Sequence, residues 1–380
     1  MSSIIRNMTS PISDFGTVEF ATELAELHPL LLESIYEKKQ GNDVDNEALR
    51  NRPLSLQYEN QQQLLRLIVK LQQRLHDDEA KQIRCRFSIV DSRNEMGMGE
   101  ISRNSDSVDI ADVVDSNQTW LPLHELFAEV EGRSVSEYIL HNLFTTHLQP
   151  IVQPEGMIMG YEFLLRPLPE LKPFRPAQLF QSARQIRQHS FLDRAARQLA
   201  IRLGSIHLEK GTKRFINFLP SSFHHADLSV EETLDLIRNS GTDPQDYVFE
   251  VIETERLDDP ALHKVFEAYR KQGAQMALDD VGSGFATLNI VDQLQPDYVK
   301  MDRQWVSNCD IDSDKQKYID DLLERVTRIH GTVLAEGIER EEEWQYLKKA
   351  GIPLFQGYLF GRAAPLPVAN TGFAGSAASN

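Results

Sequence analysis

The residues able to do chemistry in this sequence are acidic, and they recur at the ends of short apolar runs. Glu162 lies in MGYEFLLR, Asn217 in FINFLP, Glu250 and Glu253 in VFEVIETE, and Asp279 and Asp280 in ALDDVGSG. Lys300 follows in YVKMD, Glu336 in LAEGIE and Gln356 in LFQGYLFG. Carboxylates crowded into one pocket repel, and their pKa values rise unless cations neutralise them. An oxygen-only set of Glu, Asn and Asp, with no Cys and no obvious His, suits Mg2+ or Mn2+ rather than zinc. Adjacent Asp279 and Asp280 could hold two ions, one carboxylate reaching each or bridging both. Two metals about 4 Å apart are a standard apparatus for phosphodiester hydrolysis. Lys300 and Glu336 then have roles near an attacking water, one orienting or polarising it and the other accepting a proton.

Taken singly, each residue has a duller reading. An Asp-Asp pair is commonly a turn or a helix cap, and a lone Glu in a strand pairs with Arg or faces water. The Gly282-Ser283-Gly284 stretch reads as a flexible loop beside the acidic pair rather than a nucleotide cradle. His224 and His225 would face opposite ways in a strand, which favours a solvated loop over a metal site. Only convergence of the whole set makes a site.

Convergence demands a scaffold, and the sequence supplies one from about Ser134 onward. Strands are expected at His147–Val152, Met157–Leu165, Lys213–Phe218, Tyr247–Ile252, Gln275–Asp280, Asp297–Met301, Thr332–Ala335 and Leu354–Phe360. Helical patterns at Pro176–Leu203, Val230–Asn239, Pro260–Gln272, Lys315–Ile329 and Arg340–Ala350 fall between them. Such alternation means parallel strands with crossover helices. The expected fold is α/β, a (β/α)8 barrel in preference to a doubly wound sheet, with the polar strand ends converging on one face.

The first part of the chain, residues 1–133, reads as a mixed, partly helical region with a helix at about 52–83. Leu64, Ile68, Leu71 and Leu75 form an apolar stripe there, suited to an amphipathic helix packed on its own domain or to a short dimerising coiled coil. Residues 88–118 mix Ser, Asp, Asn and Gly with short apolar runs, as a mobile linker or irregular strand-and-turn region would, and 368–380 read as a frayed, disordered tail. A regulatory or interaction role is the default expectation for the N-terminal region.

Charge narrows the partners. The chain has 380 residues with 40 Lys plus Arg against 57 Asp plus Glu, a net charge of −17. A field of that sign, without a basic block, argues against DNA, RNA and anionic membranes. A small phosphorylated ligand held through metal ions remains compatible. Cys85 and Cys309 are the two cysteines, far apart in sequence, which argues against a disulfide scaffold and a zinc cluster. With no signal-peptide pattern and no long apolar stretch, a cytoplasmic protein is expected, and the N-x-T triplets at Asn7 and Asn117 carry no weight.

Gln149-Pro150-Ile151-Val152, GYEFLLR, FINFLP, FEVIETE, LDDVGSGFATL, PDYVKMD, AEGIE and QGYLFGR occur in the order and at about the spacing of the EAL domain. From about Ser134 to Pro367 the sequence therefore resembles the bacterial cyclic di-GMP phosphodiesterases. The resemblance implies hydrolysis of one phosphodiester bond of cyclic di-GMP to give linear pGpG, on a barrel whose first strand is antiparallel to the others. It makes Glu162, Asn217, Glu250, Asp279 and Asp280 metal ligands, with Lys300 and Glu336 acting on the activated water and Gln356 supporting them. It gives Glu253 the anchoring of the loop from Val281 to Leu288, and Gln149, Arg166 and Asp302 contact with substrate. It also implies a homodimer through the barrel.

This sequence departs from the family pattern at Phe163, where the signature has Ala, and at Ile252, Val281, Ser283, Phe285 and Ala363. None of these removes a ligand. A ring at Phe163 either shifts the metal geometry or fills space behind the strand. A cyclic di-GMP receptor or protein scaffold without catalysis is the alternative, and the complete ligand set favours the enzyme. Fold alone would also permit a Mg2+-dependent enzyme acting on a sugar phosphate.

Overall fold

A computed structural model describes residues 11–35, 53–88, 119–219, 226–252, 260–282 and 288–368. The chain forms two compact units. One takes the chain up to Leu143 with Pro167–Leu192, and the other takes Phe144–Arg166 with the chain from Asp193 onward.

In the first unit, β1 (Gly16–Thr22), β2 (Leu54–Tyr58), β3 (Ile83–Ser88) and β4 (Leu121–Pro122) form a sheet in the order β2-β1-β3-β4, with antiparallel pairings. The period of two sends Val18 and Phe20 of β1, and Ile83, Cys85 and Phe87 of β3, to the buried face. Strands β5 (Glu129–Val130) and β6 (Arg133–Ser134) pair separately, and the helices here include α1 (Leu27–Ile35), α2 (Gln61–Arg74) and α3 (Asp77–Lys81). The Asn60 side chain caps α2 by accepting from the Gln63 amide at 3.1 Å. The stretch read as helix over 52–83 is thus shorter, because strand β2 precedes α2 and a break at Leu75 separates α2 from α3.

The apolar stripe of α2 has found its partner inside the unit. Leu64, Ile68, Leu71 and Leu75 are all buried, and α2 packs on α1 and on α4 (Val135–Leu140). That is the amphipathic-helix outcome, and it leaves the stripe no exposed seam for a coiled coil.

In the second unit, eight strands close a barrel in the order β10-β11-β12-β13-β14-β7-β8-β9. They are β7 (Phe144–Val152), β8 (Ile158–Pro167), β9 (Lys213–Phe218), β10 (Tyr247–Ile252), β11 (Gln275–Val281), β12 (Tyr298–Met301), β13 (Thr332–Ala335) and β14 (Leu354–Gln356). Strands β8 to β14 are joined by parallel pairings, with α7 (Ala226–Asn239), α8 (Pro260–Lys271) and α9 (Leu288–Leu294) following β9, β10 and β11 in turn, and β7 runs antiparallel to β14. The expected (β/α)8 barrel with a reversed first strand is therefore what the chain forms.

Two differences from the sequence reading have local causes. The helix expected over Pro176–Leu203 is two helices, α5 (Pro176–Gln185) and α6 (His189–His207). The left-handed turn at Arg187, φ 62°, divides them, and the Gln188 amide closes it on the Ala183 carbonyl at 2.8 Å. The strand expected over Leu354–Phe360 stops at Gln356, because Gly357 lies where a Cβ would be 2.1 Å from the Ile338 carbonyl oxygen. The backbone there turns to pair with the β13–α12 connection instead, α12 being Glu341–Ala350.

Candidate active site

The barrel interior is built in two layers. Ile151, Phe215, Val248, Ala277, Tyr298, Leu334 and Leu354 form an apolar plug. Two residues further along β9 to β14, the same pleat presents Asn217, Glu250, Asp279, Lys300, Glu336 and Gln356. The period of two thus carries every one of these polar groups onto the interior at the carboxyl ends of the strands, and β8 adds Glu162 beside Asn217.

Lys300 is the hub. Its Nζ lies 2.9 Å from Glu336 Oε1, 3.0 Å from Asp279 Oδ1, 3.1 Å from Glu250 Oε1 and 3.5 Å from Glu162 Oε1. The Lys300 side chain is 1% exposed, so these charges meet with little water between them. Glu162 is further held by Gln356 Nε2 at 2.7 Å and Asn217 Nδ2 at 3.3 Å.

One ammonium cannot balance this many carboxylates. Burial would lower the Lys300 pKa, but Asp279, Glu162, Glu250 and Glu336 push it well above its ordinary value. Burial pushes the Glu250 and Glu336 carboxyls well up, against the pull of Lys300 and with the help of their acidic neighbours. Burial and Asp279 raise Asp280 to about 6. At Glu162, burial is outweighed by Lys300 and the amides of Gln356 and Asn217, which hold its carboxyl below the ordinary value.

The same set fits hard divalent cations. Glu162, Glu250 and Asp279 bring one oxygen each within 4.8 Å of one another, and Asp279, Asp280 and Glu336 do the same, so Asp279 belongs to both groups. Glu250 Oε2 and Gln356 Oε1 are buried without a hydrogen-bond donor among the described residues, and Glu250 Oε1 faces the Lys300 ammonium, a condition that a bound cation would relieve. A register shift between Leu278 and Val281 and a left-handed Asp280, φ 55°, turn two successive carboxylates toward one place.

The pocket above has a volume of about 290 Å3 and is lined by Glu162, Asp280, Glu336 and Gln356, and by Gln149 and Asp302 among the residues expected at substrate. Arg166 stands outside that lining, its Nη1 donating to the Leu165 carbonyl at 2.8 Å. Glu253, His224 and His225 lie outside the described residues, as does most of the loop from Val281 to Leu288.

Sequence reading passed over Leu164, Arg303, Glu339 and Tyr358, which also line the pocket. Arg303 pairs with Glu339 at 3.0 Å, and the Arg362 guanidinium lies 3.9 Å from the centroid of the half-exposed Tyr358 ring. Their signal was their position, next to or inside the motifs GYEFLLR, YVKMD, AEGIE and QGYLFGR.

Phe163 does not enter the pocket. It is the neighbour of Glu162 on β8, so the pleat turns it to the outer face, into the core between strands and helices. A Cβ on Gly204 of α6 would stand 3.0 Å from the tip of its ring. The bulk at Phe163 is thus met by a missing side chain opposite, and the ring fills space behind the strand.

Comparisons with known proteins bear on the family and the fold. The EAL domain profile matches residues 133–363. The bifunctional diguanylate cyclase/cyclic di-GMP phosphodiesterase MucR of Pseudomonas aeruginosa is 27% identical over 252 residues, 64% of this chain and 35% of MucR. A standalone versatile EAL protein from Vibrio cholerae O395, solved with c-di-GMP bound, is 30% identical with a TM-score of 0.54, over 60% of this chain and 95% of that one. Klebsiella pneumoniae BlrP1, solved as a manganese/cy-diGMP complex, is 30% identical with a TM-score of 0.53, over 58% of this chain and 56% of that one. The chain spans less than half the length of the curated relatives it matches, 39%, 35% and 46% for three of them. With its motifs on the strand ends of a closed barrel and the profile covering more than half its length, this chain belongs to the EAL domain family.

Proposed function

We propose that this chain is a metal-dependent phosphodiesterase that opens cyclic di-GMP to linear pGpG. The observation that carries the reading is the buried Lys300-centred cluster, with Asp279 shared between two groups of oxygens. Family membership and the c-di-GMP named for the Vibrio and Klebsiella structures support the substrate. Among the described residues no helix is long and apolar enough to cross a membrane.

Glu162, Asn217, Glu250, Asp279 and Asp280 would hold two Mg2+ or Mn2+ ions, which supply positive charge opposite the phosphate oxygens and acidify a water. Glu336 accepts the proton of the attacking water, a task suited to a carboxyl whose pKa burial has raised. Lys300 remains an ammonium under the influence of the surrounding carboxylates, and it orients the water beside Glu336. Gln356 fixes Glu162 through its amide. Attack forms a P–O bond to the water oxygen and breaks one P–O ester bond, the released ribose oxygen takes up a proton from solvent, and the ring opens while the second phosphodiester persists. Gln149 and Asp302 contact the substrate at the pocket wall, and Arg166 is assigned to it by family resemblance.

The test is incubation of the full chain with cyclic di-GMP and Mg2+, Mn2+ or EDTA, with the nucleotide followed by chromatography and binding measured in parallel. Conversion to pGpG that EDTA abolishes is the expected result. Tight binding with no conversion under any metal condition would replace this reading by a receptor.

A further inference from the structure

The peptide leaving the Asp279-Asp280 pair is gripped by side chains from a neighbouring helix. Gly282 follows the shifted segment of β11 and has φ 94°, two residues after the left-handed Asp280. The left-handed conformation is costly for Asp280, and the permissive glycine at 282 leaves the chain free to take other paths, so this arrangement needs an external hold to persist. The Gly282 carbonyl receives it, accepting hydrogen bonds from Trp305 Nε1 at 3.1 Å and from Gln304 Nε2.

Both donors sit on α10 (Arg303–Val306), the short helix that begins after Asp302. The Trp305 ring is in turn stacked on Tyr318 of α11 (Ser313–Arg328), with centroids 3.8 Å apart and planes inclined by 13°. The fit is close, since a Cβ on Gly282 would stand 2.3 Å from Trp305 Nε1 and 2.5 Å from the Tyr318 hydroxyl. Through this clamp the exit of β11, which carries Asp279 and Asp280, is tied to the exit of β12, which carries Lys300.

We propose that Gln304 and Trp305 are positioning residues for divalent-cation binding: their N–H groups fix the Gly282 carbonyl and so hold the Asp280 carboxylate in register with Asp279. The proposal rests on the metal-dependent reading above. Groups that orient metal ligands from behind are worth about 10- to 100-fold in metal affinity.

The experiment is a Mn2+ titration of the full chain, with free Mn2+ read by electron paramagnetic resonance, for the wild type, Trp305→Phe, Gln304→Ala and the double variant. Trp305→Phe keeps a ring against Tyr318 and removes the donor. The expected result is Mn2+ affinity about tenfold weaker in the double variant, smaller losses in the same direction in each single variant, and turnover of cyclic di-GMP regained at saturating Mn2+. A melting temperature that falls while the Mn2+ isotherm of the folded protein superimposes on wild type would reduce the clamp to a structural contact and overturn the proposal. Should the double variant not fold, an unshifted isotherm for Trp305→Phe overturns it equally. A wild-type chain that binds no Mn2+ would overturn the metal reading itself, so the two failures are told apart.

Discussion

Along β9 to β14, an apolar plug residue and an inward polar residue stand two positions apart: Phe215 and Asn217, Val248 and Glu250, Ala277 and Asp279, Tyr298 and Lys300, Leu334 and Glu336, Leu354 and Gln356. Both layers share the same strands and the same pleat. The lower layer removes apolar surface from water and gains stability by it. The upper layer keeps charges together at a distance where they oppose one another, with Lys300 as partial compensation. Stability and chemistry are thus separated by one pleat repeat, about 7 Å of strand.

The widest gap between the layers is expected in turnover. Asp279→Ala removes the carboxylate common to both oxygen groups and should lower cyclic di-GMP hydrolysis about a thousandfold, the loss of several kcal/mol of charge stabilisation. Steady-state assays with circular dichroism as the folding control test this. Next, Leu334→Ala in the plug should lower unfolding free energy by about 2–5 kcal/mol in denaturant titrations while the folded fraction keeps its turnover number. Equal turnover losses in both variants would break the division between layers.

A smaller effect has the opposite sign. The Glu250 carboxyl has a raised pKa in the fold through burial, so its ionised form destabilises the metal-free protein. That loss accumulates as pH rises above the ordinary carboxylate value, and it is absent where the group is protonated in both states. Glu250→Gln should therefore raise the metal-free melting temperature by about 2–4 °C at neutral pH while depressing turnover. The gain should fade below about pH 4. A scanning-calorimetry series with pH measures it, and a lower melting temperature for the variant at neutral pH would contradict the repulsion argument.

The smallest expected effect sharpens the same point. Mn2+ added at a concentration equal to its Kd should stabilise the wild-type chain by about 0.4 kcal/mol and raise its melting temperature accordingly. In Asp279→Ala the shift should shrink, and in Leu334→Ala it should persist. Thermal scans across a Mn2+ series separate these cases.

Much of the barrel was legible because its strands are buried on both faces and read as short apolar runs: Lys213–Phe218, Tyr247–Ile252 and Thr332–Ala335 have their observed bounds in the sequence itself. The apolar run at Leu354–Phe360 was overextended, since only the approach of Gly357 to the Ile338 backbone reveals that the strand ends at Gln356. The outward face of Phe163 was legible in principle, as the neighbour of an inward Glu162 must point away from it. Arg303, Glu339 and Tyr358 were marked only by their place in or beside the motifs, because a pocket wall is made by loops from β12, β13 and β14 meeting in space.

What the sequence determined by itself is the donor set and its order: an oxygen-rich group with one lysine, distributed over strand ends at the spacing of the EAL motifs. What only the tertiary structure decided is their mutual distance. Barrel closure brings residues from Glu162 to Gln356 around a single buried ammonium, and the shift between Leu278 and Val281 sets Asp279 and Asp280 toward one place. The physical reason is that pKa and metal fit depend on charges a few ångströms apart in space and on water excluded from between them, and strand register fixes both quantities.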